Sequence, residues 1–92
     1  MRGIDLQHYP TDEEFDIMAP QLIDESLLLA VQLGIDASFW IEKKEERHKI
    51  AHINRMVLQR WREDHPGKPK MEDLAQALCN IGINIEILFS DI

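Results

Sequence analysis

The sequence predicts an all-α fold, a compact antiparallel bundle of six helices. Glycine and proline divide the 92 residues into segments of helical length. The connections between segments are short, which places neighbouring helices antiparallel. No segment alternates apolar and polar residues as a strand would, except 81–87, which we interpret as a junction between two helices. Hydrophobic residues make up 45% of the chain, enough for one modest core. We therefore assign residues 1–92 to a single domain, with residues 1–10 as a flexible lead-in.

The start of the first helix is marked by a capping box. Thr11 can accept a hydrogen bond from a backbone N–H of the first turn, and Glu14 can reach back to the backbone of the cap. Phe15 and Met18 then face inward. Pro20 must kink or interrupt the helix, because it has no N–H to donate and its ring collides with the preceding turn.

The other helices are bounded by signals of the same kind. Gly34 and Gly82 suit the left-handed residue that follows a helix, and Asp36 is a candidate cap. The segment 65–69, His-Pro-Gly-Lys-Pro, is the strongest loop signal in the chain. The five further predicted helices span about residues 24–33, 36–42, 47–64, 70–81 and 84–91.

Helical periodicity gives the fourth predicted helix two different faces. One face is predicted to enter the core and carries Ile50, Ile53, Asn54, Val57, Leu58 and Trp61. The opposite face is polar and carries His48, His52, Arg55, Gln59 and Arg62. We name His48, Arg55 and Arg62 the basic stripe, because their heptad spacing lines them up along this face. Two interpretations stay open: a solvated polar face, or a binding surface.

Charge is segregated along the chain. The net charge is −7, which argues against general binding to nucleic acid or to anionic membranes. Residues 1–36 hold eight acids and one base, residues 37–71 nine bases and five acids, and residues 72–92 four acids and no base. One small domain therefore presents both signs of charge, as head-to-tail assembly requires, since unlike patches must meet.

The sequence offers no recognisable catalytic or cofactor-binding pattern. No spacing of serine, histidine or carboxylates indicates a triad or a dyad, and the four glycines form no phosphate loop. His48 and His52 have the spacing of a helical metal pair with Glu45 nearby, but a metal site needs three or four ligands. Cys79 is interpreted as a small buried apolar residue of the fifth helix. We expect no enzyme activity, no cofactor, no metal and no small-molecule substrate.

Two further features bear on the compartment. The longest apolar run, residues 27–31, is far too short to span a membrane, so no membrane insertion is expected. Because the chain has a single cysteine, no internal disulfide can form, which suits a reducing compartment.

Three motifs, in this order, resemble those of the death domain within the death-fold superfamily. Residues 29–35, Leu-Ala-Val-Gln-Leu-Gly-Ile, are similar to that family's second helix with its Leu-Gly-aliphatic turn. Residues 58–62, Leu-Gln-Arg-Trp-Arg, resemble its fourth helix, in which a Leu and a Trp three apart are buried. Residues 74–78, Leu-Ala-Gln-Ala-Leu, followed by Ile81 and Gly82, resemble its fifth helix.

The resemblance implies a six-helix Greek-key bundle and a non-catalytic adaptor of apoptotic or inflammatory, innate-immune signalling in the cytoplasm. Its partners would be other death-fold proteins, and weakly the chain itself. Two alternatives stay open. One is a one-to-one docking or autoinhibitory domain of a larger receptor or scaffold. The other, less favoured because of the net charge, is a helical nucleic-acid-binding module that uses the arginines and lysines of the fourth helix and its loop.

The principal partner surface is predicted to be the basic stripe with the loop that follows it. Arg55 and Arg62 are expected to project away from Trp61, so that changing them spares the core. The residues assigned to this surface are Arg55, Arg60, Arg62, Lys68, Lys70, His48 and His52.

Two other sets of residues complete the predicted interaction sites. The acidic counterpart of the basic stripe would lie on a partner or on another copy of the chain. A second candidate surface is apolar and lies on the second helix, where Leu27, Leu28 and Val31 point away from the core side. Neighbouring helices could cover these three residues, or they could form an exposed contact patch. The acidic candidates within this chain are Asp12, Glu13, Asp16, Glu86 and Asp91.

Overall fold

The computed structural model describes residues 5–90, and within that range it contains six α-helices and no strand. The all-helical prediction is therefore confirmed. A 3-10 turn, Ala19–Gln21, follows the first helix. The α-helices are α1 (Asp12–Met18), α2 (Ser26–Gln32), α3 (Ala37–Glu45), α4 (Ile50–Asp64), α5 (Met71–Asn80) and α6 (Ile85–Leu88).

The longest helix, α4, lies at the centre of the bundle. It packs against α1, the 3-10 turn, α2 and α3, while α2 also contacts α3 and α5, and α6 packs on α5. The radius of gyration is 12.6 Å, close to the value of about 12 Å expected for a compact domain of this length. The fold is thus one globule organised around α4.

The first helix begins and ends as its sequence predicts. The backbone N–H of Glu14 donates to Thr11 Oγ1 at 3.2 Å, and the N–H of Thr11 donates to Glu14 Oε1 at 2.9 Å, so both halves of the capping box are formed. Pro20 lies in the 3-10 turn, where its missing N–H costs no α-helical hydrogen bond. Phe15 and Met18 are fully buried.

Three helices end in the same type of turn, with a left-handed residue after the helix. At the end of α2 the N–H of Gly34 donates to the carbonyl of Val31 at 3.0 Å, and the N–H of Ile35 to that of Ala30 at 2.9 Å. Gly34 and Gly82 have φ of +80° and +86°, which glycine adopts without steric cost. α3 ends in the same way, but there the left-handed residue is Arg47, with φ of +69°.

The prediction that the fourth helix begins near residue 47 is wrong. Residues 46–49 form the connection after α3, and α4 begins at Ile50. Other bounds also differ: α2 begins at Ser26 rather than near residue 24, α3 extends to Glu45 rather than to residue 42, and α6 is a single turn. The prediction that the sixth helix runs on to Asp91 falls partly outside the described residues.

The core is built from one face of α4 and the apolar sides of its neighbours. Trp61 is 7% exposed and Leu58 fully buried, which confirms the predicted core face of the fourth helix. Phe39 and Trp40 of α3 are partly buried and pack on the edge of this core. The fully or almost fully buried apolar side chains include Phe15, Met18, Leu22, Leu29, Ile53, Val57, Leu58, Met71, Leu74 and Leu78.

A polar network lies inside this apolar core. Asn54 of α4 is fully buried and donates through Nδ2 to the carbonyls of Ala19 at 2.9 Å and Leu22 at 3.0 Å. Its Oδ1 accepts a hydrogen bond from the buried Ser26 hydroxyl at 2.5 Å, and that hydroxyl accepts from Trp40 Nε1 at 2.8 Å. Four separate segments are thereby joined, and every polar group of the network has a partner, as burial requires.

The segment before α1 packs against the start of α5. The carbonyls of Leu6 and His8 accept hydrogen bonds from the N–H groups of Glu72 at 2.8 Å and Met71 at 3.0 Å. These are two of the N–H groups that have no partner inside a helix, so residues 5–10 supply what the first turn of α5 lacks. Pro10 is buried.

Candidate protein-interaction surface

The structure places two members of the basic stripe in ion pairs within the chain. Arg62 Nη2 lies 2.7 Å from Asp12 Oδ1, and Arg62 Nη1 donates to the carbonyl of Pro10 at 3.1 Å. Arg55 Nε lies 2.8 Å from Asp16 Oδ1, and its Nη2 lies 3.4 Å from Asp12. Two of the predicted acidic counterparts, Asp12 and Asp16, are therefore already paired with the stripe, because α1 lies along that side of α4.

Arg55 and Arg62 are also part of the packing, which corrects the expectation that changing them spares the core. Their guanidinium carbons lie 5.5 Å and 4.9 Å from the ring centroid of Phe15, a fully buried residue. The Arg62 side chain is only 13% exposed. A cation over an aromatic ring is favourable, and the aliphatic stems also cover apolar surface. These arginines hold α1 against α4, and little of their side-chain surface is accessible to a partner.

The electrostatics of the pair are visible at Asp12. The hydrogen bond and positive charge of Arg62 lower the pKa of the Asp12 carboxyl, with a smaller contribution from Arg55. The pKa of Asp36 is lowered as well, because its carboxylate accepts a hydrogen bond from the backbone N–H of Ser38 as the cap of α3. Both carboxylates therefore stabilise the folded chain in their ionised form.

The remaining cations of the predicted surface are more exposed. Arg60 is 54% exposed, lies 3.5 Å from Asp64 and stacks over the ring of Phe39 at 4.8 Å. Lys68 and Lys70 are exposed, and Lys70 Nζ donates to Gln7 at 3.3 Å. These three residues, rather than Arg55 and Arg62, carry the accessible positive charge near the loop after α4.

The two histidines are not one helical pair. His48 lies in the connection before α4, whereas His52 is in its first turn, and the two rings stack with centroids 5.0 Å apart. His48 Nε2 also lies 3.3 Å from Glu46 Oε1. Because His48 precedes the helix, the basic stripe is not a continuous face of α4. Within residues 5–90 no group of three or more His, Cys, Asp or Glu side chains is placed to hold a metal ion.

The exposed apolar side chains cluster on α2. Leu28 and Val31 are 58% and 56% exposed, and Leu27 is 39% exposed. The alternative in which neighbouring helices cover these residues is therefore excluded. Ile23, in the turn before α2, is 44% exposed and extends the patch; the sequence prediction did not include it. We name Ile23, Leu27, Leu28 and Val31 the α2 face.

The other predicted acidic residues have different positions. Glu13 is exposed on α1, and Glu86 is exposed on α6, where its N–H donates to the Asn84 side chain. Asp91 lies outside the described residues. Of the acidic set, Glu13 and Glu86 are thus the described members that make no ion pair with a cation of residues 5–90.

Cys79 is exposed, which corrects the prediction that it is a buried apolar residue. It lies on the side of α5 that borders an open groove of about 460 Å³, with Leu6, Ala75 and Ile83 among the lining residues. The register of α5 places Ala77 and Leu78 inward instead. The sequence prediction assigned Cys79 to the buried side of α5, whereas the buried side ends at Leu78 and Cys79 faces solvent.

A further set of cations was not among the predicted site residues. Lys44, Arg47 and Lys49 surround the turn between α3 and α4 and are all exposed. The left-handed conformation of Arg47 ends α3 and presents this turn at the surface. A sequence signal for it exists in the run 43–49, which holds four of the ten lysines and arginines of the chain.

Comparison of the chain with protein-family models, with curated proteins and with solved structures found no match. No helix within residues 5–90 is both long and apolar enough to cross a membrane.

Proposed function

We propose that this chain is a non-catalytic protein-interaction module of the death-domain type, an adaptor that assembles with other death-fold proteins in the cytoplasm. In this proposal the six helices follow the Greek-key order of that family. Contact with partners is made chiefly through the α2 face, with the exposed cations near the loop after α4 as a second contact.

The placement of the three resembling motifs supports the proposal. Leu29 is buried in α2, and Gly34 forms the turn that follows it. Leu58 and Trp61 are both buried on α4, three residues apart, and Leu74 is buried on α5. Each motif thus supplies core residues or a helix end, which is the role that the resemblance assigns to it.

The observation that carries the proposal is the α2 face. Four of the seven large hydrophobic residues that are exposed in the described chain lie on this one short segment. Single exposed apolar residues are ordinary, but a contiguous group at the surface indicates a contact with another molecule. Leu29 and Ala30, on the other side of the same helix, are fully buried, so α2 is covered by the core on one side only.

The nucleic-acid alternative loses support from the same structure. Of the five cations that it requires, Arg55 and Arg62 are engaged by Asp12, Asp16 and the Pro10 carbonyl. Phosphate contacts need accessible cations, and only three of these five remain accessible, in a chain of net charge −7. A protein partner is the better-supported ligand.

The test is affinity capture with the full chain from lysates of cells that express it. The variant Leu28→Ser/Val31→Ser removes the centre of the α2 face, and Ile87→Ser is the control because Ile87 is 65% exposed on α6. We expect the wild-type chain and the control to recover a death-fold protein that the double variant does not recover. All three should melt at the same temperature, because none of these side chains is buried.

Each contrary result has a definite meaning. Recovery of the same death-fold protein by the double variant would exclude the α2 face as the contact. Failure of the wild-type chain to recover any death-fold protein would remove the adaptor proposal. Light scattering of the purified complex against concentration then separates extended assembly from one-to-one docking, since only assembly gives a mass that keeps growing.

A further inference from the structure

The charges around the α2 face indicate what kind of partner it binds. The face lies in a stretch of the sequence that contains no lysine or arginine. No lysine or arginine occurs between Arg2 and Lys43. The helix itself, Ser-Leu-Leu-Leu-Ala-Val-Gln, has no charged side chain. The turn that leads into it contains Asp24 and Glu25, which follow Ile23 directly and precede Leu27 by three and two positions. The apolar patch is therefore bordered by negative charge at one end.

These two carboxylates differ from most other acids of this region; Glu13 also makes no ion pair with a described residue, but it lies on α1. Asp12 and Asp16 are paired with arginines, Glu14 contacts His8 at 2.6 Å, and Asp36 caps α3. Asp24 and Glu25 make no side-chain hydrogen bond or ion pair with any described residue, and Glu25 does not cap α2 with its side chain. Their charge is left available to a partner.

We infer that the α2 face takes a partner whose apolar surface is flanked by lysine or arginine, most simply a basic amphipathic helix. This inference rests on the proposed function. A helix presents apolar residues at three- and four-residue intervals, which matches the spacing of Leu27, Leu28 and Val31. Cations at the end of that helix would meet Asp24 and Glu25, and charge complementarity of this kind fixes the orientation of the two surfaces.

Two other occupants fit less well. A second copy laid across the same face would oppose Asp24 and Glu25 with α2 of that copy, which offers no cation. An anionic lipid surface would be repelled by the same two carboxylates and by the net charge of −7. The complementary surface therefore belongs to a different, locally basic protein segment.

The experiment uses a displayed library of amphipathic helical peptides with one constant leucine face and flanking positions randomised among Lys, Gln and Glu. The library is selected on the full chain, on Asp24→Lys/Glu25→Lys, and on Glu45→Lys/Glu63→Lys, which makes the same change in net charge away from α2. Chemical shifts of α2 amides locate each binding site. Wild type and the Glu45/Glu63 control should enrich Lys at the flanks, and the Asp24/Glu25 variant should enrich Glu.

The selected Lys-flanked peptide should bind the Asp24/Glu25 variant about fivefold more weakly than wild type, the effect expected of two surface ion pairs, one at exposed Asp24 and one at half-buried Glu25. Peptides that bind at α2 without a preference for Lys, or that keep the preference on the Asp24/Glu25 variant, would overturn this inference and leave the proposed function standing. Peptides that shift no α2 amide would overturn this inference and also the assignment of the α2 face as the chief contact. Self-association of the free chain through α2, seen by sedimentation and lost in Leu28→Ser/Val31→Ser, would replace the basic partner with a second copy.

Discussion

Replacing Asn54 by Leu should destabilise the chain strongly, although the two side chains have the same number of heavy atoms and the same branching. Asn54→Leu removes all three hydrogen bonds of a fully buried side chain. The carbonyl of Leu22 would lose its donor, that of Ala19 would keep only a 3.4 Å bond from the N–H of Leu22, and the Ser26 hydroxyl would lose its acceptor. A buried polar group without a partner costs about 1–3 kcal/mol. Two such groups therefore reduce the free energy of unfolding by about 3 kcal/mol.

The measurement is thermal and urea unfolding followed by circular dichroism. A loss of about 3 kcal/mol corresponds to a melting temperature lower by about 15 °C in a domain of this size. Gln59→Leu, an exposed substitution on the same helix, is the matched control and should change stability by less than about 0.5 kcal/mol. Adding Ser26→Ala to Asn54→Leu should cost less than the sum of the two single changes, because the hydroxyl is then no longer left unpaired. If Asn54→Leu had the same melting temperature as the wild type, the buried polar network would make no net contribution to the free energy of unfolding, and the reasoning would fail.

Three further outcomes follow from the same contacts. Trp61→Ala removes a side chain that is only 7% exposed and should cost about 3–5 kcal/mol in urea unfolding; an unchanged midpoint would mean that Trp61 does not fill the core. Arg62→Glu should lower the melting temperature by at least about 5 °C, because the Pro10 carbonyl loses its donor and the new carboxylate faces Asp12, whereas Arg60→Glu at an exposed position should not. Because the pKa of Asp12 and of Asp36 is lowered on folding, their contribution is complete above about pH 4 and is lost as the pH falls through the lower folded values. Melting curves of Asp12→Asn between pH 2 and 7 should therefore show a smaller loss of stability toward low pH than the wild type, and an equal loss would contradict this assignment.

Local signals predicted most helix ends correctly. The caps Thr11 and Asp36 and the terminators Gly34 and Gly82 act through side chains or backbone angles within a few residues, so the sequence contains all the information needed. The start of α4 was predicted wrongly because the residue that ends α3 in a left-handed conformation is Arg47. Arginine rarely adopts this conformation, so the sequence offered no reason to place a turn there.

Packing between helices distant in the sequence determines which residues of the candidate site are accessible. The periodicity of α4 placed Arg55 and Arg62 opposite Trp61, but it could not show that α1 covers that side and engages both arginines. For α2 the sequence could not show which residues stay uncovered. Its sequence is apolar on both sides, and only the positions of α3, α4 and α5 show that the face with Leu28 and Val31 is left open.

The central position of α4 divides the chain into parts that should open independently. Its inner amides can exchange with solvent deuterium only when α1, α2 and α3 separate from it together, so their exchange should report the global free energy of unfolding. The single turn of α6 packs on α5, and its amides should exchange through small local openings. A partner bound at the α2 face would slow exchange first in α2 and then, through Asn54 and Ser26, in the middle of α4. Occupancy of the surface is thereby linked to the most protected amides of the fold.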